Sequence, residues 1–63
     1  MNCIKIVLGE KEIKQTWLAD RLGKNFNTVN GYVQNRQQPR LVVLNEIAEI
    51  LVIDIKELIV SNK

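Results

Sequence analysis

The stretch that decides the fold runs from Gln15 to Pro39 and reads QTWLADRLGKNFNTVNGYVQNRQQP. Apolar residues recur in it at helical spacing in two groups, and each group predicts a short amphipathic helix. The segment between the groups contains a glycine and ends at Asn25, a residue type that caps helix N-termini. The pattern predicts two helices joined by a tight turn, one over Gln15 to Leu22 and one from after Asn25 to about Gln34.

The second of these helices has a polar face. That face carries Asn27, Thr28 and Asn30, whose short neutral side chains can address base edges in a DNA major groove. Asn27 is the best candidate for direct readout, because an asparagine amide can bond N6 and N7 of adenine together. The pattern therefore predicts a helix-turn-helix module with double-stranded DNA as its partner.

Three further helices are predicted around this pair. Ile4, Val7 and Leu8 form the buried stripe of a first helix that ends near Lys11, although residues 4–8 could instead be a strand. Helix is favoured because a lone strand would have no partner. A fourth helix is predicted over 41–51, and a capping-box-like pair at 54 and 57 opens a short fifth helix through residues 58 and 59. The prediction is one all-α domain over residues 1–63, a compact bundle of four to five short helices.

Composition limits the possible functions. The chain of 63 residues has no histidine, and Cys3 is its only cysteine, which rules out an internal disulfide and is consistent with a reducing cytoplasm. No stretch reaches the ~20 apolar residues of a membrane span, and no signal peptide is visible. With no catalytic or metal-ligating group of residues, the sequence predicts a cytoplasmic protein that is not an enzyme and has no cofactor or metal.

Charge is unevenly distributed along the chain. Residues 14–40 hold five basic residues and one acid, a net +4, whereas residues 41–63 hold two basic residues and four acids, a net −2. A chance asymmetry of a solvated surface is the alternative explanation. The positive segment is the part suited to phosphate, and the predicted backbone clamps are Lys14, Lys24, Arg36 and Arg40.

The order of these features resembles the Xre/Cro family of lambda-repressor-like DNA-binding domains, over Ile4 to Ile59. The matching positions are Gln15, Leu18, Ala19, Leu22, Gly23, Val29, Pro39, Leu44, Ile47, Ala48, Leu51 and Leu58. The chain departs from the family pattern at four positions, where it has Lys14, Val33, Asn35 and Val52.

The resemblance implies roles for individual residues. It places Gln15 and Asn25 at the DNA backbone and base readout at Phe26, Asn27, Thr28, Asn30 and Gly31. Phe26 could pack on a thymine methyl group or fold back onto the domain. Gly31 either allows close approach to DNA or weakens readout.

The C-terminal part carries more apolar residues than a small core needs, and a large exposed apolar cluster usually marks an interface. The expected interface residues are Val42, Val43, Ile50, Ile53 and Ile59, with Val52 and Val60 in the same surplus. Relatives of this fold often dimerise through their C-terminal helices, which implies a homodimer reading an inverted repeat. The functional prediction is a transcriptional regulator, either a repressor or an operon controller. The alternative is an antitoxin-like module that binds a partner protein through this apolar face.

Overall fold

The computed structural model of the protein describes residues 2–59, which form four α-helices and a short 3-10 helix. The elements are α1 (Ile4–Lys11), α2 (Gln15–Leu22), α3 (Phe26–Val33), α4 (Leu41–Leu51) and the 3-10 helix (Ile55–Leu58). Outside these helices, the described residues contain one isolated antiparallel bridge, between Asn2 and Ile59. The predicted all-α class is confirmed, and so is helix rather than strand over residues 4–8. The prediction made for Val60 lies outside the described residues.

Residues with the left-handed backbone conformation follow α2 and α3 at the two positions where their residue types predicted it. Gly23 follows α2 with φ of 69°, and Asn35 follows α3 with φ of 61°. Glycine adopts this conformation without a steric cost, and asparagine is one of the few other residue types that visit it routinely. Val52 takes it after α4 with φ of 57°, where a β-branched side chain is an outlier. The backbone after α4 is therefore strained.

The fifth element differs from its prediction. It is a 3-10 helix rather than an α-helix, and it ends at Leu58, so that Ile59 lies in extended backbone. The physical reason is that the chain is diverted by its N-terminal segment: Leu58 O accepts a hydrogen bond from Cys3 N–H at 2.8 Å, and Ile59 pairs with Asn2. Asp54 does cap the element, but its side chain accepts from Lys56 N–H at 3.1 Å.

The core lies where the inward faces of the helices meet. α3 packs on α1 and α2, and α4 packs on α2 and the 3-10 helix. In α2 and α3, the buried side chains belong to the apolar stripes predicted for these helices. The amphipathic patterns therefore identify correctly which face of each helix points into the core. The buried apolar residues are Ile4, Val7, Leu8, Leu18, Ala19, Val29, Tyr32, Val33, Val43, Ile47, Ala48, Leu51 and Leu58.

Candidate nucleic-acid interface

The turn between α2 and α3 is built from backbone and side-chain caps. The N–H groups of Gly23 and Lys24 donate to carbonyls in the last turn of α2 at 3.2 and 3.1 Å, the pattern of a Schellman motif. Asn25 Oδ1 accepts from Thr28 N–H at 2.8 Å and so caps the start of α3. These caps set the direction in which α3 leaves the turn, because they use the backbone groups that each helix end leaves unpaired.

The N-terminal half of α3 is the part of that helix that faces solvent. Asn25, Phe26 and Asn27 are exposed, and Thr28 is half-buried. Within residues 2–59, the Asn27 amide makes no hydrogen bond, so its donor and acceptor remain available to a ligand. The first turn of α3 therefore presents the predicted readout residues, while its opposite face is held in the core by Val29, Tyr32 and Val33.

Asn30 links α2, α3 and the loop that follows. Its Nδ2 donates to Gln15 Oε1 at 2.9 Å, and its Oδ1 accepts from Arg36 Nη2 at 2.7 Å. Asn30 was predicted to read bases, but a bidentate contact with adenine needs both of these amide groups. In the structure both groups are engaged, and Asn30 braces Gln15 and Arg36. Base readout by Asn30 stays a prediction.

Gly31 lies against the loop that follows α3. It is buried, and a Cβ added to it would lie 2.9 Å from Nε2 and 3.3 Å from Cγ of the Gln37 side chain. Its carbonyl accepts from the N–H groups of Arg36 and Gln37 at 2.9 and 3.3 Å. The close approach that the glycine permits in the structure is that of the loop after α3. A contribution of Gly31 to base readout stays a prediction.

The predicted phosphate clamps stand at the ends of the elements around α3. Lys14 immediately precedes α2, Lys24 lies in the turn, Arg36 follows α3, and Arg40 immediately precedes α4. Lys14, Arg36 and Arg40 are exposed, and Lys24 is half-buried. A further cation, Arg21, lies over the ring of Trp17 at 4.7 Å from its centroid.

Comparison with known proteins establishes the family. A family model for the Cro/C1-type helix-turn-helix DNA-binding domain matches residues 3–63. The chain belongs to the Cro/C1-type helix-turn-helix family. Among solved structures, it is similar to a crystal structure described as a "putative DNA-binding protein from Bacteroides fragilis". The two chains are 41% identical, the match covers 92% of this chain and 94% of the other, and the TM-score is 0.90. No curated protein matches the chain.

The apolar surface of this Cro/C1-type domain differs from the predicted interface set. Val43 is only 8% exposed and belongs to the core, because it is on the inward stripe of α4 together with Ile47. Ile50 and Ile53 are half-buried against that core. Val42 and Ile59 do face solvent, at 65% and 46% exposure. Val52, which was predicted to belong to the same surplus, is exposed as well. Four other large apolar side chains are exposed and were not predicted to be part of it: Ile6, Trp17, Phe26 and Leu41.

Phe26, the first residue of α3, lies at the edge of a groove in the domain surface. It is partly exposed, yet it lines a cavity of about 440 Å³ between α1 and the helix-turn-helix. Leu8, Ile13 and Val33 line the same cavity. Phe26 is therefore partly covered by the domain and partly open to solvent at the start of α3.

Asn2 is the residue that sequence reasoning missed. It is buried, and it hydrogen-bonds to residues at the end of α3 and in the following loop. The available signal was an asparagine two residues before α1, a residue type and position that suit a local cap. The long-range partners left no pattern in the sequence.

The described residues hold no group of three or more cysteine, aspartate and glutamate side chains arranged to bind a metal. Over the same residues, none of the helices has the length and apolar character required to cross a membrane.

Proposed function

We propose that this Cro/C1-type domain is a sequence-specific, double-stranded DNA-binding transcriptional regulator that inserts the N-terminal half of α3 into the major groove. The observation that carries the proposal is the braced arrangement of α3. Asn30 ties the helix to Gln15 on one side and Arg36 on the other, while the Asn27 amide beyond the brace has no hydrogen-bond partner among residues 2–59. A rigid helix with unpaired polar groups at its tip is suited to base readout, because little ordering is left to be done on binding.

Base contacts are assigned to the exposed start of α3. Asn27 has the donor and acceptor needed for the N6 and N7 positions of adenine, and Thr28 can reach a base or a phosphate. Phe26 supplies an apolar edge of the kind that contacts a thymine methyl group. These three residues form the proposed reading surface.

Backbone contacts are assigned to the surrounding cations and amides. Gln15 uses Oε1 to accept from Asn30, so its Nε2 can donate to a phosphate oxygen. Arg36 gives one hydrogen bond to Asn30, and its guanidinium has further N–H donors for the DNA strand. Such contacts position the domain without selecting sequence. Lys14, Lys24, Asn25 and Arg40 complete this proposed set.

The proposed functional form is a homodimer that acts as a repressor or operon controller. The exposed Val42 and Ile59 support self-association, because a 63-residue domain buries only about 60% of its unfolded surface and gains stability from hiding more. Two copies would bind an inverted repeat with half-sites about one helical turn apart.

The second candidate is an antitoxin-like module that binds a different protein. The same exposed apolar residues, with Val52 at 85% exposure, favour it, because they are side chains that a protein partner would remove from water. The two candidates differ in whether the wild-type protein associates with itself.

Selection from a random duplex pool tests the proposed function. Purified protein should enrich an inverted repeat, with half-site centres about 10 base pairs apart. A matched control uses the Asn27→Ala variant, which should lose preference at one position in each half-site. A pool that shows no enrichment after repeated rounds with the wild-type protein would exclude sequence-specific duplex binding.

A further inference from the structure

Asn2 lies between the loop that follows α3 and the extended residue Ile59, and it is 6% exposed. Its side chain has no unmet hydrogen-bonding group. Oδ1 accepts from Ile4 N–H at 3.1 Å, and Nδ2 donates to Tyr32 O at 3.1 Å and to Gln38 Oε1 at 3.0 Å. A buried polar group that is fully paired in this way specifies the arrangement of its partners.

The backbone of Asn2 makes a second set of bonds to the same region. Its N–H donates to Asn35 Oδ1 at 2.9 Å, and its carbonyl accepts from Asn35 Nδ2 at 3.4 Å. Gln38 Nε2 also donates to Asn35 Oδ1, at 3.2 Å. Asn2 thus holds the Tyr32 carbonyl in the last turn of α3 and the side chains of Asn35 and Gln38 in the loop over 34–38.

The N-terminal segment is itself held from the other side. Cys3 N–H donates to Leu58 O at 2.8 Å, and Asn2 is bridged to Ile59. The segment therefore cannot move with the loop without also breaking contacts to the end of the 3-10 helix. It gives the loop a fixed point outside the helix-turn-helix.

Arg36 is the cation inside this loop. It lies between Asn35 and Gln38, the two loop side chains that Asn2 contacts, and its guanidinium bonds to Asn30 at 2.7 Å. The loop backbone is also tied to Gly31, through the N–H groups of Arg36 and Gln37. Breaking the Asn2 contacts would remove the support that the loop receives from outside the helix-turn-helix. Arg36 would then be held in place by Asn30 and Gly31 without that support.

We propose that Asn2 is a positioning residue for DNA binding, which holds the 34–38 loop so that Arg36 meets the sugar-phosphate backbone. The expected effect of Asn2 on DNA binding rests on the proposed function. Its effect on the position of the loop does not. Asn2 itself is buried, so the proposal gives it no direct contact with DNA. Its action is through Asn35, Gln38 and the end of α3.

The Asn2→Asp variant separates this role from helix capping. Aspartate keeps the oxygen that accepts from Ile4 N–H, so the start of α1 stays capped, but it removes both donors to Tyr32 and Gln38. A matched control is Asp54→Ala, which removes an exposed cap from the remote 3-10 helix. Both variants lose hydrogen bonds, but only Asn2→Asp loses bonds to the loop and the end of α3.

Hydrogen exchange of the free protein measures the loop directly. In Asn2→Asp, the amides of Arg36 and Gln37, which donate to Gly31 in the wild type, should exchange at least tenfold faster relative to the core amides of α4. Asp54→Ala should leave that ratio unchanged. If the ratio does not change in Asn2→Asp either, Asn2 does not hold the loop and the inference is overturned.

Duplex binding measures the consequence. Asn2→Asp should weaken affinity for every duplex by about tenfold, as expected for unpairing buried polar groups, and should lower the salt slope by about one unit per protomer. Arg36→Ala should add little in the Asn2→Asp background, because both changes remove the same contact. Additive effects, or an unchanged slope with wild-type affinity, would overturn the positioning role. If loop exchange is faster in Asn2→Asp but the wild-type protein binds no duplex, the proposed function is refuted, whereas the role of Asn2 in holding the loop stands.

Discussion

Gln15 at the start of α2 accepts a hydrogen bond from the amide of Asn30 in α3 at 2.9 Å, across 15 positions of sequence. The bond joins the two helices of the helix-turn-helix on the side where α3 is exposed. The polar face of α3 therefore has two parts. Asn30 braces the module, whereas the Asn27 amide has no hydrogen-bond partner within residues 2–59. That division leads to different expectations for the two asparagines.

Asn30→Ala should weaken binding to all duplexes alike, because it removes the brace without removing a base contact. Gln15→Ala should do the same. The two effects should be non-additive, with a coupling free energy in the range of about 0.5–3 kcal/mol. A double-mutant cycle on a selected site and on an unrelated duplex measures both quantities. A preference lost at one base pair in Asn30→Ala would mean instead that Asn30 reads a base.

Binding to duplex DNA should depend strongly on salt. If about four phosphates are neutralised per protomer by Lys14, Lys24, Arg36 and Arg40, the logarithm of affinity should fall with the logarithm of salt concentration at a slope of roughly −3 to −4 per protomer. A salt titration of the wild-type protein measures this slope. Tight binding that ignores salt would exclude this surface as the one in contact with DNA.

Val52→Gly should stabilise the fold. Val52 is 85% exposed and holds φ of 57°, so the change loses little packing while it relieves a conformation that costs an L-residue about 1–2 kcal/mol. After the higher unfolded-state entropy of glycine is subtracted, the free energy of unfolding should rise by about 0.5–1 kcal/mol.

Chemical denaturation measures that gain. Val52→Ala, which keeps the Cβ, should gain less. Glu49→Gly, an exposed change inside α4, should lose about 1 kcal/mol. A destabilised Val52→Gly protein would show that the Val52 side chain makes a contact worth more than the strain, as an interface would provide.

Ile59→Asp should shift the protein from dimer towards monomer. A charge in an interface is desolvated without a partner, which is costly, and binding to a palindromic site should suffer more than binding to a half-site. Lys56→Gln is the matched control, since it makes the same change in net charge on the neighbouring exposed segment. Sedimentation at micromolar concentration separates the states. A wild-type protein that stays monomeric, both free and on DNA, would favour the partner-protein candidate.

Local patterns were sufficient to predict most of the fold. The bounds of α2 and α4 follow from apolar spacing and from the residue types at their ends, and the left-handed residues Gly23 and Asn35 were identified from their conformational freedom. These features depend on residues within a few positions of each other. The 3-10 helix was less predictable, because its end is set by pairing with the N-terminal segment.

The details of the site depend on distant contacts, and these were harder to predict. Asn30 has the residue type of a base reader, but its partner 15 positions away makes it a brace. Gly31 lies under a loop side chain, and Asn2 reaches residues 30 to 36 positions away. Composition also overstated the exposed surplus, since a count of apolar residues does not say that Val43 faces inward.

The central claim is that the exposed start of α3, with Asn27, reads base edges. The direct test measures the affinity of Asn27→Ala and Arg40→Ala for a full set of single-base variants of the selected site. Asn27→Ala should lose about 1–3 kcal/mol of discrimination at one base pair per half-site and little elsewhere. Arg40→Ala should weaken all variants equally, because a phosphate contact carries no sequence information. If Asn27→Ala keeps both wild-type affinity and the wild-type preference at every position, α3 does not read the major groove and the account is wrong.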